Sequence, residues 1–230
     1  MTDSVRDRIV EAAADLLADG GPRTVTTRAV ASAAGVQAPT IYRHFGDKDG
    51  LLTAVAERVF AAYVAGKTVP DDVDPVEHLR DSFDAHIAFG LANPGLTALF
   101  SDPLRAHSTT EDQGIAVLRE RVHRVALAGR LRVPESRAVS LVHAIGVGVV
   151  LDLIGTPVGE RDPQLVGAAW QALASAVLTE PASEQASGPV HGVDPRAAAV
   201  RLAADDRALA ALRPAEQALL REWLERIAEG

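Results

Sequence analysis

The sequence predicts an all-α fold, and three observations support this. Apolar residues recur at the spacing of three and four that is typical of helices, and no long segment alternates with the two-residue period of a strand. The apolar runs end at helix-breaking sequences such as Gly20-Gly21-Pro22 and Asn93-Pro94. The chain has 230 residues, of which 47% are apolar, so it can bury a substantial core.

Residues 24–51 predict two short helices joined by a tight turn, with a third helix directly behind them. Thr26 or Thr27 can cap the first helix, because a side-chain hydroxyl there satisfies free backbone N–H groups. Gly35 can end that helix with a positive φ, and Pro39 lies in the first turn of the second helix, where proline is favoured. This is the pattern of a helix-turn-helix, whose second helix presents its first turn to the major groove of DNA.

The run TTRAVASAAGVQAPTIYRHFGDKDGLL closely resembles the DNA-binding head of tetracycline-repressor-like (TetR) regulators. Ala-Ala-Gly-Val, Thr-Ile-Tyr-Arg-His-Phe, Lys48 and Leu51 stand in the order and spacing of that family. The resemblance implies a homodimer that regulates transcription, most often as a repressor that a small molecule releases from a palindromic operator. The alternative is a helical hairpin within a larger helical protein, for which Tyr42, Arg43 and His44 would be unusual residues to bury.

The charge distribution fits a local DNA contact. The net charge of −8 argues against a general nucleic-acid coat. Between residues 23 and 48, however, four bases oppose only Asp47, and these bases are Arg23, Arg28, Arg43 and Lys48. A basic face on an acidic body suits a protein that finds one site and releases it.

Side chains at the start of the second helix, together with Arg28, are predicted to read base edges. The guanidinium of Arg28 matches O6 and N7 of guanine, whereas Ala38 and Pro39 can only make apolar contacts, for example with a thymine methyl. The resemblance assigns Thr27, Tyr42 and Lys48 to phosphates, with His44. Ala38 departs from family members that carry a polar group there. The full set of predicted DNA-binding residues is Thr27, Arg28, Gln37, Ala38, Pro39, Thr40, Tyr42, Arg43, His44 and Lys48.

The rest of the chain is expected to be helical as well. We expect a DNA-binding domain over residues 1–47, a ligand-binding and dimerisation domain over 48–180 that begins with a connecting helix at 48–66, and a linker with a helical extension over 181–230. Two apolar segments, Glu135–Ile154 and Pro163–Thr179, predict a four-helix bundle between two copies, with Gly146 and Gly148 allowing close approach. The extension predicts helices at Arg196–Leu212 and Pro214–Glu229.

An effector pocket is implied only by the resemblance, which places it in the second domain. The candidate lining residues are Phe83, His86, Ile87, Phe100, Val122, His143 and Trp170. Each apolar member can equally belong to an ordinary core. His143 stands out, because an imidazole within an apolar helix needs a hydrogen-bond partner.

Other functional classes find little support in the sequence. There is no cysteine, no catalytic motif such as His-Glu-x-x-His or Gly-x-Ser-x-Gly, and no clustered metal ligands, so we expect neither an enzyme nor a cofactor. The amino end does not read as a signal peptide, and the apolar run Ala138–Leu151 is short for a membrane span, so we expect a cytoplasmic protein. The alternative function is a DNA-binding architectural protein that a protein partner controls through the extension.

Overall fold

The computed structural model describes residues 4–21, 23–65, 73–101, 109–179 and 194–229, and it confirms the all-α class. The helices of these residues are α1 Val5–Gly20, α2 Thr27–Ala34, α3 Ala38–Phe45, α4 Lys48–Ala65, α5 Pro75–Ala92, α6 Pro94–Phe100, α7 Thr109–Leu127, α8 Glu135–Gly155, α9 Leu165–Val177, α10 Pro195–Ala204, α11 Asp206–Leu209 and α12 Pro214–Glu229, with a 3-10 turn at Val158–Glu160 before α9. The chain divides into two compact units.

The first unit takes in residues 1–71, 88–114 and 150–155, and α1 packs in it against α2, α4 and α6. Its core is built from the apolar faces of short helices, and the buried members include Ile9, Val10, Ala13, Leu17, Val25, Val30, Ile41, Leu51, Val55 and Leu96. α1 starts at a capping box, in which Ser4 and Asp7 each satisfy a backbone N–H of the other. The helix-turn-helix is therefore covered by α1 and backed by α4.

The second unit takes in residues 72–87, 115–149 and 156–230. Its buried side chains include Leu79, Phe83, Val122, Val125, Leu131, Leu173 and Val177. A single antiparallel bridge between Leu131 and Leu178 ties the segment after α7 to the segment after α9. The amide of Arg132 donates to the carbonyl of Val177 at 2.9 Å there. Within the carboxyl-terminal extension, α10 packs against α12.

One expectation about the extension is wrong. A single helix over Arg196–Leu212 was expected, but the helix breaks at Asp205, whose carboxylate accepts hydrogen bonds from the amides of Arg207 and Ala208 at 3.0 and 3.1 Å. A side chain that competes for backbone donors in this way favours a new helix start over a continuous helix. In α12, Leu224 is buried, whereas Leu219, Trp223 and Ile227 are exposed.

α8 is longer than its uncharged apolar run suggests, since it spans 21 residues. Among the described residues it is the one helix long and apolar enough to cross a membrane by length and composition, a test that core helices of soluble proteins also pass.

The two glycines of α8 that were expected to allow close approach of another helix differ in the space beside them. A Cβ on Gly146 would lie 3.1 Å from the His86 ring of the same chain, whereas a Cβ on Gly148 would meet nothing within 4 Å.

Candidate nucleic-acid interface

The turn between α2 and α3 is fixed by its backbone hydrogen bonds. The hydroxyl of Thr26 caps α2 by accepting from the amide of Ala29 at 3.1 Å, so of the two candidate caps Thr26 is the one used. Gly35 then takes the left-handed conformation at φ 65°, and the next amide, Val36, donates back to the carbonyl of Ala31 at 2.9 Å. These contacts define the direction in which α3 leaves the turn.

One side of α3 packs against the core of the first unit, and the other side is exposed to solvent. Ile41 is buried in the core of the first unit, with Phe45 packed against that core. Most of the predicted DNA-binding residues are exposed, namely Arg28, Gln37, Pro39, Tyr42, Arg43, His44 and Lys48, whereas Thr27, Ala38 and Thr40 are half-buried. Tyr42 is 53% exposed, although aromatic residues in a helical hairpin would usually be buried. The first turn of α3 is thus accessible to a groove.

Two of the predicted phosphate-binding hydroxyls lie side by side. The hydroxyl of Thr27 at the start of α2 is 3.4 Å from the phenolic oxygen of Tyr42 on α3. Both groups can donate a hydrogen bond, and two donors this close can share one phosphate. The structure therefore brings together residues that are 15 positions apart in the sequence.

Arg6 is not among the predicted DNA-binding residues. Its guanidinium lies 5.4 Å from the centre of the Phe45 ring, so the first turn of α1 is in contact with the last turn of α3. A cation above an aromatic face is attracted by the ring electrons. Nothing in the sequence pattern links two residues so far apart. Arg6 is exposed and extends the basic side chains of α2 to α4 onto α1.

Gly50 is a second residue outside the predicted set. A Cβ at this position would lie 2.1 Å from the carbonyl oxygen of Phe45, the last residue of α3. The amide of Gly50 also donates to the Asp47 carboxylate at 2.8 Å, so Asp47 caps α4. The end of α3 therefore lies in direct contact with the first turn of α4.

The carboxylate of Asp7 in the first turn of α1 is held in its charged form. The hydroxyl of Ser4 donates to the carboxylate of Asp7 at 2.6 Å, and this hydrogen bond lowers the pKa of Asp7 below its ordinary value. Asp7 is therefore ionised at neutral pH, and it lies in the first turn of α1, where a negative charge is favourable.

The predicted effector residues differ in burial. Phe83, Ile87, Val122 and Trp170 are buried, and the rings of Phe83 and Trp170 lie 5.6 Å apart. His86 lies next to Gly146, so Phe83, His86 and Trp170 form one neighbourhood on α5, α8 and α9. The side chain of Phe100 lies outside the described residues.

His143 differs from both sequence expectations, which placed it in a core or a pocket. Its side chain is exposed, because α8 turns Val142 and Gly146 inward and leaves residue 143 on the outer face.

A cleft of about 190 Å³ occurs in the second unit, but none of the candidate effector residues lines it. Its lining residues are Pro134, Glu135, Ser136, Val200, Ala203, Arg221, Leu224, Glu225 and Ala228. Among the described residues, no group of three or more His, Asp or Glu side chains could hold a metal ion.

Comparison with known proteins adds independent findings. The family model for bacterial regulatory proteins of the tetR family matches residues 9–55. The class C tetracycline repressor protein of Escherichia coli is 39% identical over 69 residues, which are 30% of this chain and 32% of the repressor. The nucleoid occlusion factor SlmA of Vibrio campbellii is 30% identical over 99 residues, 42% of this chain and 50% of that factor. The chain thus spans half or less of these curated relatives.

A solved structure extends the similarity to most of the fold. A TetR-type transcriptional regulator from Streptomyces coelicolor superimposes with a TM-score of 0.54 at 22% identity, covering 91% of this chain and 99% of that one. A side-chain cap on the first helix, a left-handed glycine after it and an exposed second helix are the features of a helix-turn-helix, the motif of a class of DNA-binding proteins. The matched segment is this same helix pair with its supporting helices, so residues 9–55 match the DNA-binding segment of the tetR family of bacterial regulatory proteins.

Proposed function

We propose that this chain is a homodimeric transcriptional repressor that binds a palindromic operator through α2 and α3 and is released by a small molecule. The observation that carries the proposal is the exposed face of α3, held in place from behind by Ile41 and presenting Tyr42, Arg43 and His44 to solvent. A buried hairpin would not present such a face. The protein acts in this proposal as a cytoplasmic regulator, without catalysis and without a cofactor.

The DNA contacts divide by chemistry. Arg28 is exposed on α2 and offers two parallel donors to a guanine edge, and Gln37, at the start of α3, offers an amide to an adenine edge. Thr27 and Tyr42 lie together and suit one phosphate, and Lys48 suits another. Pro39 and Ala38 add apolar contacts, with Thr40, Arg43 and His44 completing the set.

The second copy is proposed to join through α8 and α9. Both helices expose small side chains at a spacing of four, which are Ser140, Ala144 and Gly148 on α8 and Ala168, Ala172 and Ala176 on α9. Small residues let helix backbones approach closely, and a Cβ on Gly148 meets nothing of its own chain. A two-fold dimer would then set two copies of α3 about one DNA turn apart, roughly 34–36 Å.

The effector is proposed to act on the second domain, residues 48–180. Phe83, His86 and Trp170 lie together, and Arg80 adds a cation 5.3 Å from the Trp170 ring centre, so this neighbourhood combines aromatic surface with a charge. A relative that matches the DNA-binding segment is named a tetracycline repressor, which supports ligand control. An effector would release the operator only by binding better to the conformer that binds DNA poorly.

A second candidate is a DNA-binding architectural protein controlled by a protein partner. Two observations favour it: the similarity to a nucleoid occlusion factor, and the exposed apolar residues of α12 in the extension. The two candidates share the same DNA contact and differ in what controls it.

The test begins with selection of bound duplexes from a random pool, followed by affinity measurements with the selected operator. Arg28→Ala should cost about 1–3 kcal/mol of binding free energy and relax the preference at one base pair. Tyr42→Ala should weaken all sequences alike. Neither change should move the thermal midpoint, because both side chains are exposed. Unchanged affinity in both variants would contradict the assigned contacts, and a small molecule that shifts the midpoint and weakens operator binding would select the first candidate.

A further inference from the structure

The carboxyl-terminal helix α12 has an apolar surface that its own chain leaves uncovered. Leu219, Trp223 and Ile227 are 45%, 51% and 50% exposed and follow one another at a spacing of four, so they lie on one side of the helix. We call these three residues the α12 stripe. Leu224 and Ala228, on the neighbouring side, are buried and line the cleft with Val200 and Ala203 of α10.

The size of the α12 stripe indicates an interaction surface. Three large side chains that are half exposed leave roughly 300 Å² of apolar surface in solvent, within the range of the largest patches on ordinary monomers, which are often functional. A Trp in the middle of such a patch is the residue type that most often dominates the energy of an interface. The area is well below the roughly 800 Å² per partner of a stable interface, so the stripe fits one part of a larger contact or a weak association.

The charges beside the stripe indicate what covers it. Glu222 and Arg226 lie on the same flank of α12 and form an ion pair with each other. We propose that the α12 stripe packs antiparallel against the α12 stripe of a second copy of this chain, with the two-fold axis of this contact at Trp223; the contact is separate from the proposed α8–α9 interface. In that arrangement each flank of α12 faces the same flank of the partner subunit's α12, because antiparallel helices related by a two-fold axis place equivalent sides together.

The register follows from the rise of 1.5 Å per residue. Leu219 lies level with Ile227 of the partner subunit, and the two Trp223 rings meet at the axis. Arg226 lies about 3 Å along the axis from Glu222 of the partner subunit, and the reverse pair is equivalent. The charges on this flank then follow the order basic, acidic, acidic, basic, with a net charge of zero. A parallel pair would instead place this charged flank against Leu220 and Leu224.

The proposal can be tested by cross-linking, because the natural chain contains no cysteine. Trp223→Cys places one thiol on the two-fold axis of the full-length chain, and mild oxidation should then link pairs of chains. The matched control is Ala218→Cys, also exposed and on the same helix but turned away from the stripe. We expect Trp223→Cys to cross-link about tenfold faster or more, since only one thiol pair is held in contact. Equal rates at the two positions would overturn the proposal.

A second experiment tests the contact of the Trp223 side chain without oxidation. Trp223→Arg, compared with the wild-type chain by sedimentation over a range of concentrations, should weaken association through α12 by roughly tenfold or more. Circular dichroism should show unchanged helix content, because the ring is half exposed. An unchanged size distribution, or a stripe that binds only a different protein, would overturn the proposal. DNA binding is measured separately, so failure here leaves the operator proposal untouched.

Discussion

The close contact between α3 and α4 makes Gly50→Ala an informative change. The added Cβ would lie 2.1 Å from the carbonyl oxygen of Phe45, and real Cβ atoms do not approach a backbone oxygen this closely. The obstacle is backbone, so no side-chain rotation can relieve it. α3 must shift relative to α4, or the first turn of α4 must unwind.

The expected magnitude follows from two opposing effects. Alanine favours a helix over glycine by about 1 kcal/mol, which stabilises α4. Forcing an extra carbon into a filled site typically costs about 1–3 kcal/mol, and the fixed position of the carbonyl places this site towards the upper end. We expect a net loss of about 1–2 kcal/mol in the free energy of unfolding. Operator affinity should fall as well, because the displaced helix carries Tyr42 and Arg43.

Urea unfolding and operator binding by the purified variant measure the two effects. Gly167→Ala in α9 is the matched control, since its added Cβ meets nothing within 4 Å and should leave stability equal or raise it by up to about 1 kcal/mol. If Gly50→Ala is as stable as the control and binds the operator like the wild-type chain, the inferred contact between α3 and α4 does not position the recognition helix.

Three further predictions address other contacts. Arg6 extends the basic side chains onto α1, so we predict that it contacts one phosphate; Arg6→Ala should then weaken operator binding and reduce the slope of log affinity against log salt concentration by about one. Asp7 has a lowered pKa, so the capping box should stabilise α1 at neutral pH and lose this effect as the pH falls through that lowered value; Ser4→Ala should return the pKa towards ordinary, as an NMR titration of the carboxyl would show. Gly148→Leu should weaken the proposed dimer in sedimentation while the monomer stays folded.

Each of these predictions has its own control. Arg8→Ala removes an equally exposed base of α1 that is not stacked on Phe45, and an equal loss of affinity in both variants would contradict a special role for Arg6. An unchanged Asp7 titration in Ser4→Ala would contradict the capping-box assignment. Gly159→Leu, in the exposed 3-10 turn, should leave the sedimentation profile unchanged. A Gly148→Leu profile that matches it would argue against α8 as the contact between subunits.

Local chemistry explains why the helix-turn-helix was predictable from the sequence. A hydroxyl cap at Thr26, a left-handed Gly35 and a proline at the start of α3 each act within a few residues, so the sequence pattern alone contains the information. The family resemblance then added residue roles that no local rule supplies, and those roles stay predictions until binding is measured.

Features that depend on distant neighbours were not predictable. The contact of Arg6 with Phe45 joins α1 to α3, and the sequence spacing of the two residues carries no signal. Gly50 is close to Phe45 in sequence, but the closeness of its Cβ position to the Phe45 carbonyl depends on the angle between α3 and α4. The division of α12 into a covered and an exposed side depends on where α10 packs. His143 lies on the exposed side of the apolar helix α8. Because most residues around this helix are apolar, the sequence pattern does not show which of its sides is buried.

A footprint on the selected operator tests the central claim most directly. The wild-type chain should protect two half-sites whose centres are about one helical turn apart, roughly 34–36 Å, on one face of the duplex. Arg28→Ala and Tyr42→Ala should lose that protection at concentrations where the wild-type chain is fully bound. Protection of a single half-site, protection no stronger than on random DNA, or an identical footprint in both variants would contradict the account.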